Sequence, residues 1–211
     1  MELFFSALTV GFSGAMMPGP LLTYTVQRSL SDGPRAGFII TAGHAVLELA
    51  LIILVFLGFN IILQSDAAQI GISLIGGAML VYMGIGMIIG SIKNRIRIQA
   101  DSEGIKKGRG MFLSGILISA ANPYFLLWWA TVGLGFILSA YNTWGFIGIP
   151  VYYIGHICAD FIWYGLVSTV VGTTRRFIGE KLYRVIIALL GCILVFFGGR
   201  FVYEAIMRIV G

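Results

Sequence analysis

The chain has 211 residues, of which 58% are hydrophobic and 11% are charged. A soluble domain typically carries about 25% charged residues, so this composition excludes an ordinary soluble protein and predicts a surface that faces the lipid bilayer. The net charge is +5, but the basic residues stand in short loops between apolar runs, which argues against a nucleic-acid partner and for membrane topology signals.

Six apolar segments are long enough to cross a bilayer, which takes roughly 20 residues. The first follows Met1-Glu2 without the basic region and cleavage site of a signal peptide, so we expect it to be a helix of the mature protein. We therefore predict an all-α membrane protein with six transmembrane helices. The predicted spans are Leu3–Gln27, Ala36–Phe59, Ala67–Gly90, Met111–Ala140, Trp144–Val171 and Leu182–Val202.

Basic residues are concentrated on one side of the predicted spans. The first, third and fifth connections, with the adjoining helix ends, hold all of the 14 Lys and Arg residues except Arg200 and Arg208. Because loops rich in Lys and Arg stay in the cytoplasm, we predict a multi-pass protein of the cytoplasmic membrane with both termini outside. The residues on the predicted cytoplasmic side are Arg28, Arg35, Lys93, Arg95, Arg97, Lys106, Lys107, Arg109, Arg175, Arg176, Lys181 and Arg184.

The two halves of the chain share patterns in matched helices. The pattern G-H-x-x-x-[DE] begins at Gly43 in the second predicted helix and recurs at Gly155 in the fifth, and it contains the only two histidines of the chain. A glycine-bounded stretch, Gly77–Gly84, in the third helix recurs as Gly191–Gly198 in the sixth. The alternative is a chance resemblance between helices rich in Leu and Gly, but the matched histidines favour an internal repeat.

An internal repeat of three spans has a defined consequence for topology. Three is an odd number, so the second copy must enter the membrane from the opposite side, as in the inverted repeats of many secondary transporters. We predict a first three-helix repeat at residues 1–90, a basic cytoplasmic linker at 91–110 and a second, inverted repeat at 111–211.

Two acidic residues, Glu48 and Asp160, lie deep in the predicted spans. Glu48 is about 18 Å along its helix from the nearest polar ends, and an ionisable group at that depth by default marks a transport pathway or a proton site. His44 and His156 precede the acids by four residues, on the same helix faces. One interpretation is a pair of local His–carboxylate hydrogen bonds; the other is a single cavity in which the four groups bind and release protons or meet a substrate ammonium group.

Helix-breaking residues interrupt the first and fourth predicted helices at Pro18-Gly19-Pro20 and Asn122-Pro123. Proline lacks a backbone donor and clashes with the preceding turn, and unwound backbone inside a membrane is tolerated only where it is buried or lines a cavity. A simple kink is one interpretation. The matched positions in both halves favour a substrate-binding site made by Pro18, Gly19, Pro20, Asn122 and Pro123, where half-helix N-termini face a carboxylate.

Other features receive plainer interpretations. The tryptophans are interpreted as anchors at the membrane interface, and Cys158 and Cys192 form no CxxC motif that would support thiol chemistry. The glycine-rich helix faces are compatible with a homodimer. The tryptophans are Trp128, Trp129, Trp144 and Trp163.

Taken with the six predicted helices, these motifs resemble the lysine exporter (LysE/RhtB-type) family over the whole chain. The resemblance is carried by Pro18-Gly19-Pro20, Gly43-His44, Gly77–Gly84 and Asn122-Pro123. It implies export of amino acids or similar small metabolites, with no chemical transformation and no cofactor. The family often has a polar residue after the first motif and Lys after the second; here Leu21 and Tyr124 stand there, so the resemblance does not imply a cationic substrate.

Three function classes compete at this point. The leading hypothesis is a proton-coupled amino-acid exporter, in which the broken helices hold the substrate carboxylate and Glu48 or Asp160 meets the ammonium group or carries the proton. The alternative is a divalent-metal exporter, for which His44, Glu48, His156 and Asp160 would be suitable ligands. A membrane enzyme is disfavoured because the sequence has no recognisable catalytic constellation.

Overall fold

The computed structural model describes residues 1–63, 65–93, 104–177 and 179–210, so residues 94–103 of the predicted linker at 91–110 lie outside them. Within the described residues the regular structure is entirely helical. The α-helices are α1 (Glu2–Ala15), α2 (Pro20–Asp32), α3 (Arg35–Leu54), α4 (Asn60–Leu63), α5 (Asp66–Ile92), α6 (Gly104–Ala120), α7 (Pro123–Trp128), α8 (Leu134–Trp144), α9 (Gly148–Thr174) and α10 (Glu180–Val210), with π turns at Val55–Phe59 and Trp129–Gly133 and 3-10 turns at Gly145–Ile147 and Arg175–Phe177.

Four helical stretches of the described chain are long and apolar enough to cross a membrane, and there are five if α1 and α2 count as one bent span. Large apolar side chains cover their outer faces; Ile75, for example, is 76% exposed. This arrangement is expected for helices in contact with lipid. The four stretches are Arg35–Gly58, Asp66–Ile92, Pro123–Thr174 and Glu180–Val210.

The first predicted helix is broken where the sequence has Pro18-Gly19-Pro20. α1 and α2 meet at an angle of 81°, and Gly19 precedes α2 in an extended conformation, with φ −145° and ψ −172°. Pro20 is the first residue of α2, a position that needs no backbone donor. The side chains that the structure describes do not cap this N-terminus, so the first backbone N–H groups of α2 face the break without a side-chain acceptor among them.

The fourth predicted helix is broken between Ala120 and Pro123. Asn122 is extended, and its side-chain Oδ1 accepts a hydrogen bond of 3.1 Å from the backbone N–H of Tyr124. Pro123 begins α7. This second break is therefore capped by its own side chain, whereas the first is not.

Glycines allow the half-helices to pack closely on their partners. A Cβ on Gly11 of α1 would lie 2.9 Å from the carbonyl oxygen of His156 on α9, and Gly43 of α3 contacts the carbonyl of Phe112 on α6. Small residues of this kind let helix backbones approach in a membrane, where apolar side chains gain little by leaving lipid. α1 is thereby held against α9, and α6 against α3.

A glycine seam joins α5 and α10, which run antiparallel. A Cβ on Gly77 would lie 2.8 Å from the carbonyl oxygen of Gly198, and one on Gly84 would lie 2.5 Å from that of Gly191. The contacts are reciprocal, because Cβ atoms on Gly198 and Gly191 would meet the carbonyls of Gly77 and Gly84. The two stretches that repeat in the sequence therefore pack on each other.

Candidate functional site

Helices α3 and α9 each carry a histidine and an acid one turn apart, and the two helices pack side by side. The backbone N–H of Gly37 donates to Ser168 Oγ at 3.0 Å, and Tyr153 Oη donates to the carbonyl of Ala45 at 2.8 Å. These contacts fix the rotation of one helix against the other. As a result His44, Glu48, His156 and Asp160 face each other, and all four are buried.

Glu48 is the centre of this group. Its Oε1 lies 3.0 Å from Nε2 of His156 on the other helix and 3.3 Å from Nε2 of His44 on its own helix. His156 is therefore closer to Glu48 than to Asp160, the acid one turn along its own helix, which is 3.8 Å away. The sequence also allowed two separate pairs, each formed by a histidine and the acid one turn along the same helix. The contact between His156 and Glu48 joins the two helices instead.

Asp160 stands at the edge of the cluster. Its closest imidazole atoms are Nε2 of His156 at 3.8 Å and Nε2 of His44 at 3.9 Å, beyond the usual range of a hydrogen bond. Its Oδ2 is buried and has no hydrogen-bond partner among the described residues. The carboxylate therefore retains acceptor capacity for a further ligand.

Ser119, near the C-terminal end of α6, supports His44 from the side of the second break. Its Oγ lies 2.8 Å from His44 Nδ1, and Ser119 is fully buried. A serine hydroxyl can donate to an imidazole nitrogen, so this contact fixes the ring while Nε2 points to Glu48. No pattern in the sequence singled out Ser119.

Two tryptophans of the segment after the second break complete the cluster. Trp129 Nε1 donates to Glu48 Oε1 at 3.2 Å. The ring of Trp128 stacks on His156 with centroids 4.9 Å apart, and its Nε1 donates to Ser13 Oγ of α1 at 3.2 Å. The two side chains thus connect the polar cluster to the first broken helix.

The prediction that Trp128 and Trp129 are interface anchors is wrong. They are only 7% and 1% exposed, whereas Trp144 is 55% exposed. A buried indole needs an acceptor for its N–H, and Ser13 and Glu48 supply these acceptors. Both tryptophans stand near the middle of the predicted span Met111–Ala140, not at its ends, and that position was the signal that could have identified them.

A small cavity joins the cluster to both helix breaks. Gly19 and Asn122 line it together with the four buried ionisable side chains, and Asn122 Nδ2 lies 3.6 Å from the place that a Cβ on Gly19 would take. The cavity leaves about 40 Å³ for the centres of water molecules, which is room for roughly three waters. Ala15, Leu21 and Phe125 form an apolar part of its wall.

The three predicted proline positions do not line this cavity. Pro20 is buried at the start of α2, and Pro123 packs on Gly76 of α5. Pro18 stands in the unwound turn between α1 and α2. The prolines therefore shape the two breaks, while Gly19 and Asn122 reach the cavity.

The cluster also has the spacing of a cation site. One ligand atom each from His44, Glu48 and Asp160 lie within 4.8 Å of one another, and all three residues are buried. Imidazole and carboxylate groups are also common ligands of divalent metals. Geometry alone therefore leaves both interpretations open.

Comparison with known proteins identifies relatives of the chain. The model of the LysE type translocator family matches residues 12–205 of the chain. A relative from Bacillus subtilis, named "Putative amino acid efflux protein YcgF", is 25% identical over the full length of both chains.

Two relatives from Pseudomonas aeruginosa carry other names. The chemotactic transduction protein ChpE is 23% identical over 83% of this chain and 85% of its own length. The uncharacterized membrane protein PA4757 is 29% identical over 60% of each chain. No solved structure matches the chain.

Proposed function

The chain belongs to the LysE type translocator family, and we propose that it exports amino acids or similar small metabolites out of the cytoplasm by proton-coupled secondary transport. The family is one of membrane translocators, which supports transport without chemical transformation of the substrate. The name of YcgF supports amino acids as the substrate class. None of the names of the three relatives refers to a metal, so the divalent-metal alternative is not favoured.

One observation carries this proposal: four buried ionisable groups share a cavity with two helix breaks. Such groups are expensive to hold in a membrane interior, and they are retained chiefly along substrate or proton pathways. The cavity brings Glu48 and Asp160 together with Gly19 and Asn122. A site of this composition offers anionic groups for an ammonium and N–H donors for a carboxylate.

The architecture that we propose has six spans in two inverted repeats, residues 1–90 and 111–211. Two relations support it. First, α1 of the first half packs on α9 of the second half, and the equivalent helix α6 of the second half packs on α3 of the first. Second, the glycines of α5 and α10 contact each other's carbonyl groups in matched pairs. We place both termini outside the cytoplasmic membrane and the 91–110 linker in the cytoplasm, because of the distribution of Lys and Arg.

At the breaks we propose the contact with the substrate carboxylate. The N-terminus of α2 has no side-chain cap, so its N–H groups and the positive end of its dipole are available to an anion. The Nδ2 of Asn122, whose Oδ1 is engaged in its own cap, supplies a further donor. Pro18, Pro20 and Pro123 hold the backbone in the broken form.

The His–carboxylate cluster provides the opposite end of the site. Glu48 or Asp160 meets the ammonium group of the substrate or carries the coupled proton, and His44 and His156 hold these acids in place. The cavity has room for roughly three waters, less than an amino acid requires. Loading therefore requires the helices to part, by rocking of one repeat against the other.

Efflux or counterflow in proteoliposomes, with a panel of amino acids and divalent metals, tests the proposal. We expect exchange of one or more amino acids and of no metal. Glu48→Gln and Asp160→Asn should each abolish it, because they remove a charge without changing the shape of the site. Glu204→Gln is the matched control, since Glu204 is exposed and pairs with Arg200. Unchanged transport and pH dependence in both buried variants would refute the mechanism.

A further inference from the structure

The two buried carboxylates have unequal surroundings. Oε1 of Glu48 lies within hydrogen-bond range of three nitrogen donors: His156 Nε2 at 3.0 Å, Trp129 Nε1 at 3.2 Å and His44 Nε2 at 3.3 Å. Asp160 has no imidazole nitrogen closer than 3.8 Å. The charge of Glu48 is therefore stabilised by side chains of the protein, while that of Asp160 is not stabilised to the same degree.

We infer the histidine tautomers from the hydrogen-bond contacts, because hydrogen positions are assigned and not observed. Nδ1 of His44 lies 2.8 Å from the Ser119 hydroxyl, which can act as a donor, and Nδ1 of His156 has no partner among the described residues. We therefore place the proton that faces Glu48 on Nε2 of both rings. Both Nε2–H groups then point at Glu48.

Asp160 lacks a close counter-charge in the cavity wall, because the Nε2 atoms of both histidines lie closer to Glu48 than to Asp160. The described residues that line the cavity include neither Lys nor Arg. A buried carboxylate without a counter-charge is unfavourable, and an ammonium group from a ligand would remove that penalty. Oε2 of Glu48 also has no hydrogen-bond partner within the described part of the chain, but Oε1 of the same carboxylate is already in reach of three donors.

We propose that Glu48 is the fixed anion of the site and that Asp160 is the carboxylate that binds the substrate, so that the site takes one ammonium group and selects zwitterionic amino acids with uncharged side chains. This inference rests on the export function proposed above. The apolar wall of Ala15, Leu21 and Phe125 receives the side chain. A lysine or arginine side chain would find no second uncompensated carboxylate in the described cavity wall.

Trp129 is a positioning residue in this arrangement. It does not line the cavity, and it acts on the site through its hydrogen bond to Glu48. Without the indole N–H, Glu48 loses one of its three donors and becomes a better acceptor for a second ammonium group. The discrimination between neutral and cationic amino acids should therefore depend on Trp129.

The test is counterflow of labelled L-norleucine and L-lysine in proteoliposomes, because the two side chains share a four-carbon chain and differ in charge. Wild-type protein should exchange norleucine with a kcat/KM at least about tenfold above that for lysine. Asp160→Asn should abolish norleucine exchange. Trp129→Phe should lower the norleucine-to-lysine preference, and Trp163→Phe is its control, since the indole nitrogen of Trp163 is buried and has no partner among the described residues.

The outcomes separate the two proposals. Equal exchange of lysine and norleucine by wild-type protein would overturn this inference and leave amino-acid export intact. Norleucine exchange that survives in Asp160→Asn would overturn it as well. Exchange of no amino acid by the wild-type protein, across the panel described above, would overturn amino acids as the substrate class of the proposed function. The wild-type preference needs no variant, so a variant that fails to fold does not remove the test.

Discussion

Two helix pairs in this molecule are held together in opposite ways. α3 and α9 meet through buried ionisable side chains around Glu48, and α5 and α10 meet through glycines pressed on carbonyl groups. Lipid tails are as apolar as leucine, so helices associate in a membrane by close packing and by polar contacts, not by burial of apolar surface. The glycine seam between α5 and α10 joins two helices without burying an ionisable group. The polar centre between α3 and α9 carries the free-energy cost of buried ionisable groups, which we expect a protein to retain only for function.

The difference teaches which changes should affect transport and which should affect stability. Removing a polar group from the α3–α9 centre should change transport with the helices still packed. Filling the α5–α10 seam should separate the helices without changing the chemistry of the cavity. The following predictions test that distinction, beginning with the largest effect.

His156→Phe should lower the transport rate by about 10- to 150-fold. Phenylalanine keeps the ring that stacks on Trp128 and Tyr152 but removes the closest donor to Glu48, and loss of a hydrogen bond to a charged group costs about 1.5–3 kcal/mol. Counterflow in proteoliposomes measures the effect. A variant with more than a third of wild-type transport would show that the cluster does not act in transport.

Gly84→Val should destabilise the protein by about 2 kcal/mol and lower its Tm by about 6 °C. A Cβ there would lie 2.5 Å from the carbonyl oxygen of Gly191, so α5 and α10 must separate. Gly86→Val on the same helix is the control, because a Cβ at Gly86 has no atom of the described structure within 4 Å. Thermal unfolding in detergent should distinguish the two; equal Tm values would contradict the close seam.

Asn122→Ala should lower stability by about 1 kcal/mol and also raise KM. The side chain caps the backbone N–H of Tyr124 and faces the cavity beside Gly19. Ser65→Ala is matched to it, since Ser65 caps α5 at Ala68 on the exposed surface. Both variants should lose a cap, but only Asn122→Ala should change KM. An unchanged KM would remove Asn122 from the substrate site.

Ser119→Ala should have the smallest effect, a decrease in transport of about fivefold. This corresponds to the net value of one hydrogen bond, about 1 kcal/mol, which here orients the His44 ring. Ser91→Ala is a suitable control because the Ser91 hydroxyl bonds to the carbonyl of Met87 within its own helix. If the two variants transport equally well, Ser119 does not position His44.

The sequence predicted the helical class, the family and both helix breaks correctly. Long apolar runs, a proline pair around Gly19 and the Asn122-Pro123 step are local signals, and their effect on the backbone does not depend on distant residues. It also identified the ionisable residues that meet in the cavity, since an acid with a histidine one turn away stands out in an apolar helix. The roles of these residues in transport are still predictions.

Other features of the site were decided by the tertiary structure. The spacing of four residues places His156 on the same helix face as Asp160. The rotation of α9 against α3 nevertheless brings His156 closer to Glu48, at 3.0 Å, than to Asp160, at 3.8 Å. The burial of Trp129 and the inequality of the two carboxylates have the same origin. Contacts within one helix follow from its periodicity, whereas contacts between helices follow from how closely their backbones approach, and that depends on residues far apart in the chain.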